Sequence, residues 1–500
     1  MGFILNSLAQ NAKEKENRNF IELVNKFIEF TQTEVDKGVN PGGHYKAVWT
    51  RDAAFILKDQ FLSGHFKIAL QQILLIWSNQ IITTEKEEKL VSLLYCDLKT
   101  KPLLYGRGSP EMGFNPISAD DNTKNKFDGA LPTTIYYEKG FCEVYGQNPD
   151  IDSIALMIST TSYILSKLLD LKDNPTTNAK PVITLSLNER MDNKKGGEVN
   201  EIIPFSKFSL NDIINFLLPR MLKAIKYLQN KDIDNDGLLE QKHNEDWMDT
   251  ILRIGKVVYS QACWILALKN LSVLLKKFGN QIESKRLEEM TFRAILAVEY
   301  KMWSAKDGCY VDLLDADLHL DKKMHNRLVT QDISLYLVAL TEEEDNKDSN
   351  HKYIYNTDMK EYSTKSESYT NNINSDIIFQ HALSTLEVLK KRAWKNNLPL
   401  VTEAEITKTG PWLLKTNEYH NHSCWPWITG IEILARTRFG KIDDCSFLLS
   451  KFVSNSGLYP NMLYEWVNPL TFQGSGAYPF RTGISSVRIA AFESLIQNAK

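Results

Sequence analysis

Apolar residues recur three and four positions apart over most of this 500-residue chain, and that spacing is the strongest constraint on its fold. Phe20, Leu23, Val24, Phe27, Ile28 and Phe30 form one such stripe, and Phe66, Ala69, Leu70, Ile73, Leu74 and Trp77 form another. A stripe of this kind lies on one side of a 3.6-residue helix and must be buried against a second element. The same rhythm runs through 51–62, 129–145, 151–171, 209–229, 257–278, 281–301, 328–341, 374–394, 424–439, 443–453 and 484–497, about a dozen helices in all. Period-two alternation is brief. The sequence predicts an all-α chain, well above the usual helix content of roughly one third.

Gly, Pro, Asn and Asp are concentrated in long connections at 101–128, 173–207, 303–326, 342–373, 395–423 and 455–483. Connections of such length in a compact domain commonly carry function. No shift in composition marks a boundary, and no short repeat is present. Residues 1–500 therefore read as a single domain of paired helices, with insertions near 173–202 and 342–373. The polar, charged composition of 342–373 predicts a mobile segment, and 173–202 is similar.

Composition narrows the function. Lys and Arg number 59 against 62 Asp and Glu, a net charge of −3. Without a basic excess, a phosphate-backbone partner is not expected. Cys96, Cys142, Cys263, Cys309, Cys424 and Cys445 are scattered with no CxxC pair, which is not a disulfide framework. The start, Met1 to Asn19, lacks the basic and apolar regions of an export signal. Asn6 stands where a myristoylation motif after Gly2 needs Ser or Thr. The most apolar run, Val257 to Leu275, is broken by Gln261, Lys269 and Asn270 and falls short of a membrane span. These features predict a cytoplasmic protein that binds neither nucleic acid nor membrane; its oligomeric state is not legible.

Four clusters place Trp or Tyr beside ionisable residues, in or next to loops. Trp49-Thr50-Arg51-Asp52 follows the turn Pro41-Gly42-Gly43. It reads either as a helix start, with Thr50 as N-cap and Asp52 at the positive helix end, or as a clamp for vicinal hydroxyls. Asp246-Trp247-Met248-Asp249 puts a carboxyl beside an indole, which raises its pKa toward that of a general acid. Tyr419-His420-Asn421-His422-Ser423-Cys424-Trp425-Pro426-Trp427 carries two His at i, i+2 but no third close ligand, so an aromatic pocket wall fits better than a metal site. Tyr464-Glu465-Trp466 precedes a glycine-containing loop with Gly474 and Gly476; Glu465 is either a site carboxylate or the buried partner of Arg481. Two separated carboxyls packed with Trp suit glycoside hydrolysis, which needs such a pair and no redox cofactor. A fifth run, Asp232-x-Asp234-x-Asp236-Gly237-x-x-Glu240, begins like an EF-hand loop, but His243 occupies the twelfth position, where Glu is needed. Its oxygens suit either a structural calcium ion or an acidic turn capping its own backbone. No nucleotide-binding glycine loop or GxSxG elbow is present.

The order and content of these clusters resemble the amylo-α-1,6-glucosidase domain of glycogen-debranching enzymes, related to the wider group of inverting α-glucosidases and trehalases. The resemblance covers roughly 40–500 as spaced motifs: VWTRDAAFIL at 48–57, DWMDTILRIGKVVYSQACWILAL at 246–268, YHNHSCWPWITG at 419–430 and YEWVNPLTFQGSGAYPF at 464–480. It implies an (α/α)6 six-hairpin toroid with long loops on the active-site rim, releasing glucose with inversion. Asp249 would be the general acid and Glu465 the general base. Trp49, Arg51, Asp52, Trp247, Lys256, Gln261, His420, Trp425 and Trp427 would contact the sugar. The loop Asp232, Asp234, Asp236, Glu240 resembles a calcium loop of some such enzymes; no other cofactor is implied. The chain departs from the pattern at Tyr259 and Gln261, where the group carries Glu and Asn, and it has only a short segment before the WTRD motif. A small α-glucoside such as trehalose or a glucosylated solute is therefore the alternative to a branched glucan. An inactive carbohydrate-binding toroid, a lyase or epimerase using His420 and His422, and a helical scaffold are the readings from other classes.

Overall fold

The computed structural model describes residues 2–35, 37–82, 102–109, 112–113, 115–173, 209–314, 329–341, 374–396, 398–406, 414–453 and 458–498. The insertion expected at 342–373, and that at 173–202 beyond Asp173, lie outside the described residues. In chain order the helices are α1 (Gly2–Val35), α2 (Thr50–Leu62), α3 (Phe66–Ser78), α4 (Asp121–Lys126), α5 (Ile151–Asp173), α6 (Leu210–Gln229), α7 (Val258–Lys277), α8 (Gln281–Lys301), α9 (Ser334–Ala339), α10 (Ser375–Ala393), α11 (Pro426–Arg438), α12 (Ile442–Leu449) and α13 (Arg481–Asn498).

Six of them close a ring. Helix α2 packs on α5, α5 on α7, α7 on α9, α9 on α11, α11 on α13, and α13 back on α2. Others form an outer layer: α3 against α2, α6 against α5, α8 against α7, α12 against α11, and α1 across α13 and α12. This explains the sequence pattern. An inner helix touches protein on every side, so it is apolar almost all round, whereas an outer helix keeps one polar face. Ile151–Leu171 and Val258–Lys277 are long and apolar enough to cross a membrane, yet both belong to the inner ring and are largely buried there.

The inner helices all begin at the same end of the ring. Thr482 at the start of α13 donates to Asp52 in the first turn of α2. Asp152 in the first turn of α5 accepts from Tyr259 in the first turn of α7. Gln331, in the 3₁₀ turn that leads into α9, donates to Thr429 of α11, and Ser486 of α13 donates to the Trp427 carbonyl. Six helix N-termini thus converge, and their partial positive charges favour carboxylates at that rim.

Residues 129–145 are not the expected helix. They form two strands of a five-stranded sheet: β1 (Val48–Trp49), β2 (Leu103–Tyr105), β3 (Ile117–Ser118), β4 (Thr134–Tyr136) and β5 (Phe141–Val144), in the order β1-β4-β5-β2-β3. The run is rich in β-branched and aromatic residues, and Gly140 at φ +71° turns the chain back with its N–H on the Tyr136 carbonyl. The sheet has a role at the site, because β1 pairs with β4 and fixes Trp49 opposite Thr134.

Candidate active site

Trp49 and Thr50 enter α2 from the sheet. The Thr50 hydroxyl donates to the Pro132 carbonyl at 2.6 Å, so it anchors the strand and does not cap the helix. The next two residues face the centre of the ring. Arg51 donates to Asp52 at 2.9 Å, lies 3.9 Å from Asp152 and sits over the Trp427 ring at 5.8 Å. Burial disfavours the guanidinium charge, but Asp52 and Asp152 more than restore it and hold Arg51 ionised. The other Asp52 oxygen accepts from Thr482.

The segment carrying Asp249 is pinned on both sides. Gln241 and Gly255 exchange backbone hydrogen bonds, and Gln241 also donates to Asp246 at 2.9 Å. Asp246 caps the Met248 N–H, and fully buried Arg253 bridges Asp246, Asp312 and Asp332. The Trp247 indole donates to Asp332 at 2.8 Å and packs edge-on to Trp425 and Trp427 at 5.4 and 5.1 Å. Asp249 follows this rigid turn with its side chain 21% exposed. Among the described residues its Oδ1 has no hydrogen-bond partner; His420 Nδ1 lies 3.7 Å away. His420 shares a hydrogen bond with Thr250, and burial holds its ring neutral. Burial pushes the Asp249 carboxyl up to about 7; Arg51 opposes that, while Glu465, Asp246 and Asp152 add to it. Such a group carries a proton near neutrality and can give it away.

Glu465 is held differently. It is 3% exposed, its Oε1 accepts from the Tyr45 hydroxyl at 2.6 Å, and its Oε2 accepts from the Ala477 N–H at 3.0 Å. Its own N–H returns to the Ala477 carbonyl, and Trp466 pairs with Ser475 in a two-strand ladder. Burial raises its pKa, and the bonds from Tyr45 and Ala477 pull it back. Gly476 is required just after the second of these strands. Its φ is +81°, and a Cβ there would lie 2.3 Å from Glu465 Oε2. Arg481 turns away to Asn40 and Glu34 and is not the partner of Glu465.

Both carboxyls open on one cavity of about 380 Å³, mouth included, lined by Pro41, Tyr45, Trp49, Arg51, Asp52, Trp247, Asp249, Tyr419, His420, Trp425, Trp427, Glu465 and Phe480. The ring thus brings together both expected acids and Trp49, Arg51, Asp52, Trp247, His420, Trp425 and Trp427. Pro41, Tyr45, Tyr419 and Phe480 were not anticipated. Tyr419 adjoins His420 inside a recognised motif, whereas Tyr45 is marked only by lying four residues before Trp49.

Lys256 and Gln261, expected as sugar contacts, are not on the cavity wall. The Gln261 amide is fully buried and clamps Leu239, accepting from its N–H at 2.8 Å and donating to its carbonyl at 2.9 Å. Lys256 points into the acidic loop, with Nζ 2.6 Å from both Asp234 and Asp236 and 3.5 Å from Glu240. Carboxylate oxygens of Asp232, Asp234 and Asp236 lie within 4.8 Å of one another there. The loop also caps itself: Asp232 accepts from Gly237, Asp236 from Leu238 and Glu240 from Ile233.

No family model matches this chain, and no curated protein does. Solved structures do. The chain is similar to the GH63 mannosylglycerate hydrolase from Thermus thermophilus in complex with glucose, with a TM-score of 0.52 at 15% identity, over 94% of this chain and 99% of that one. The same hydrolase with Tris and D-glycerate gives 0.52 at 15% identity over the same shares. An uncharacterized conserved protein from Thermus thermophilus gives 0.51 at 14% identity, again over 94% and 99%. The fold is therefore the mainly helical (α/α)6 toroid, in agreement with the closed ring of α2, α5, α7, α9, α11 and α13.

Proposed function

We propose that this chain is an inverting, exo-acting glycoside hydrolase that releases glucose from an α-glucoside. The observation that carries the reading is the pairing of two unlike carboxyls on one aromatic-walled cavity. Asp249 is desolvated and protonated near neutrality; Glu465 is an acceptor fixed by two donors. In the proposed reaction Asp249 gives its proton to the glycosidic oxygen as the bond to the anomeric carbon breaks. Glu465 takes a proton from a water that attacks that carbon from the opposite face. Asp249 ends ionised, Glu465 ends protonated, and exchange with solvent resets both. In this reading Arg51 and Asp52 bind vicinal hydroxyls and the Trp rings stack on the sugar; their shared position on the cavity wall supports it.

A cavity closed by Trp247, Trp425, Trp427 and Phe480 suits one terminal sugar. It fits either a single-glucose branch stub, the debranching reading, or a small α-glucoside. The similarity to a hydrolase solved with glucose and with D-glycerate favours the small substrate. Release of glucose from glycogen limit dextrin, isomaltose, maltose, trehalose, kojibiose and glucosylglycerate tests this, with D249N and E465Q as controls. Activity confined to limit dextrin and isomaltose would return the assignment to the debranching type. No release from any of the six, or equal release by the controls, would overturn the hydrolase reading.

A further inference from the structure

The loop Asp232–Glu240 lies off the cavity and carries the oxygen pattern of a cation site, including an Asp232 Oδ1 that is buried with no hydrogen-bond partner among the described residues. Yet a cation of the protein's own already lies against three of its four carboxylates. The Lys256 side chain is 3% exposed, and its ammonium is shared by Asp234, Asp236 and Glu240. Lys301 adds a second ammonium on Asp236. Arg293 lies 3.8 Å from Asp232 and donates to Asn235. We propose that Lys256 is the built-in cation of this loop, its ammonium standing where the carboxylate pattern would otherwise hold a divalent ion, so that the loop is held without metal.

The charge balance supports this. Four carboxylates, Asp232, Asp234, Asp236 and Glu240, face three basic side chains. A calcium ion brought among the same oxygens would sit within a few ångströms of a buried ammonium and repel it. Burial opposes the lysine charge, but the bonds it donates to Asp234 and Asp236 outweigh that cost. The arrangement also reaches the candidate active site. Lys256 begins the two-residue strand that leads into α7, and the loop runs on to Leu239, clamped by Gln261, and to Gln241, which holds Asp246. The lysine therefore fastens the segment that presents Asp249, three residues beyond Asp246.

The experiment is thermal unfolding of the wild-type chain and of Lys256→Met, each in EDTA and in millimolar calcium, with calorimetric titration of calcium into the wild type. The wild-type Tm is expected to be the same in both buffers, with no stoichiometric calcium heat. K256M is expected to unfold roughly 3–8 °C lower in EDTA, because its carboxylates lose their central partner, and to recover in calcium. A wild-type Tm that falls in EDTA, or saturable calcium binding to the wild type, overturns the proposal. So does a K256M protein as stable as wild type in EDTA, or one indifferent to calcium. If K256M does not fold, the wild-type titration and Tm comparison decide alone. None of these readouts depends on the substrate, so the result stands apart from the hydrolase reading.

Discussion

The Tyr45 hydroxyl donates to Glu465 Oε1 at 2.6 Å across 420 positions of sequence. This bond joins the loop before β1 to the hairpin before α13 and fixes the carboxylate assigned as the base. It stabilises the ionised form of Glu465 against the burial that opposes it. Tyr45→Phe is expected to raise the Glu465 pKa, moving the acidic limb of the kcat/KM profile to higher pH with about a tenfold loss in kcat. A pH–rate profile checks this; an unmoved acidic limb would remove Tyr45 from the account.

In the proposed reaction Asp249 acts in its protonated form. Its carboxyl titrates at about 7, so activity should fall as pH rises through about 7. Asp249→Asn cannot supply a proton and is expected to lose at least about 100-fold in kcat. An azide leaving group, or one of low pKa such as fluoride, needs little protonation and should recover much of the loss. Steady-state kinetics on both substrate types decide it.

The same desolvation has a cost in stability. The folded-state pKa of Asp249 lies above its unfolded value of about 3.9, so the native state binds the extra proton between the two. The contribution is neutral below pH 4 and becomes increasingly destabilising as pH rises toward and through about 7. D249N removes the ionisation and should be more stable than wild type at pH 8, by on the order of 1–3 kcal/mol, and equal to it near pH 4. Denaturant unfolding at the two pH values measures the difference; a variant that is less stable at pH 8 would contradict the burial argument.

Gly476→Ala should act on chemistry more than on folding. The added methyl would meet Glu465 Oε2 at 2.3 Å and would sit at φ +81°, so either the carboxylate or the strand must shift. A displacement of the base by about an ångström commonly costs on the order of 100-fold in rate. The expected result is that loss in kcat with helical circular dichroism retained; wild-type kcat would show that Glu465 tolerates movement.

The helices and most of the cavity-lining groups were legible because each is written locally. Apolar stripes mark α3, α5 and α7, and Trp49–Asp52, Trp247–Asp249 and Tyr419–Trp427 are short runs whose members stay together in the folded chain. The failures are of longer range. Lys256 and Gln261 follow the acid motif closely in sequence, but their partners are Asp234, Asp236 and Leu239, some twenty residues earlier, and the long side chains reach back to them. Residues 129–145 carry apolar spacings that suit a helix, and only the glycine turn and the pairing with Val48–Trp49 make them strands. Tyr45 could not be assigned a role, since its partner Glu465 comes from the opposite end of the chain.

Asp249 and Glu465 are proposed to act as an inverting pair on one cavity. Proton NMR of the sugar released in the first minutes of hydrolysis, before mutarotation, tests this directly. The signal of β-glucose is expected to appear first, with α-glucose growing in later. Initial release of α-glucose would contradict it.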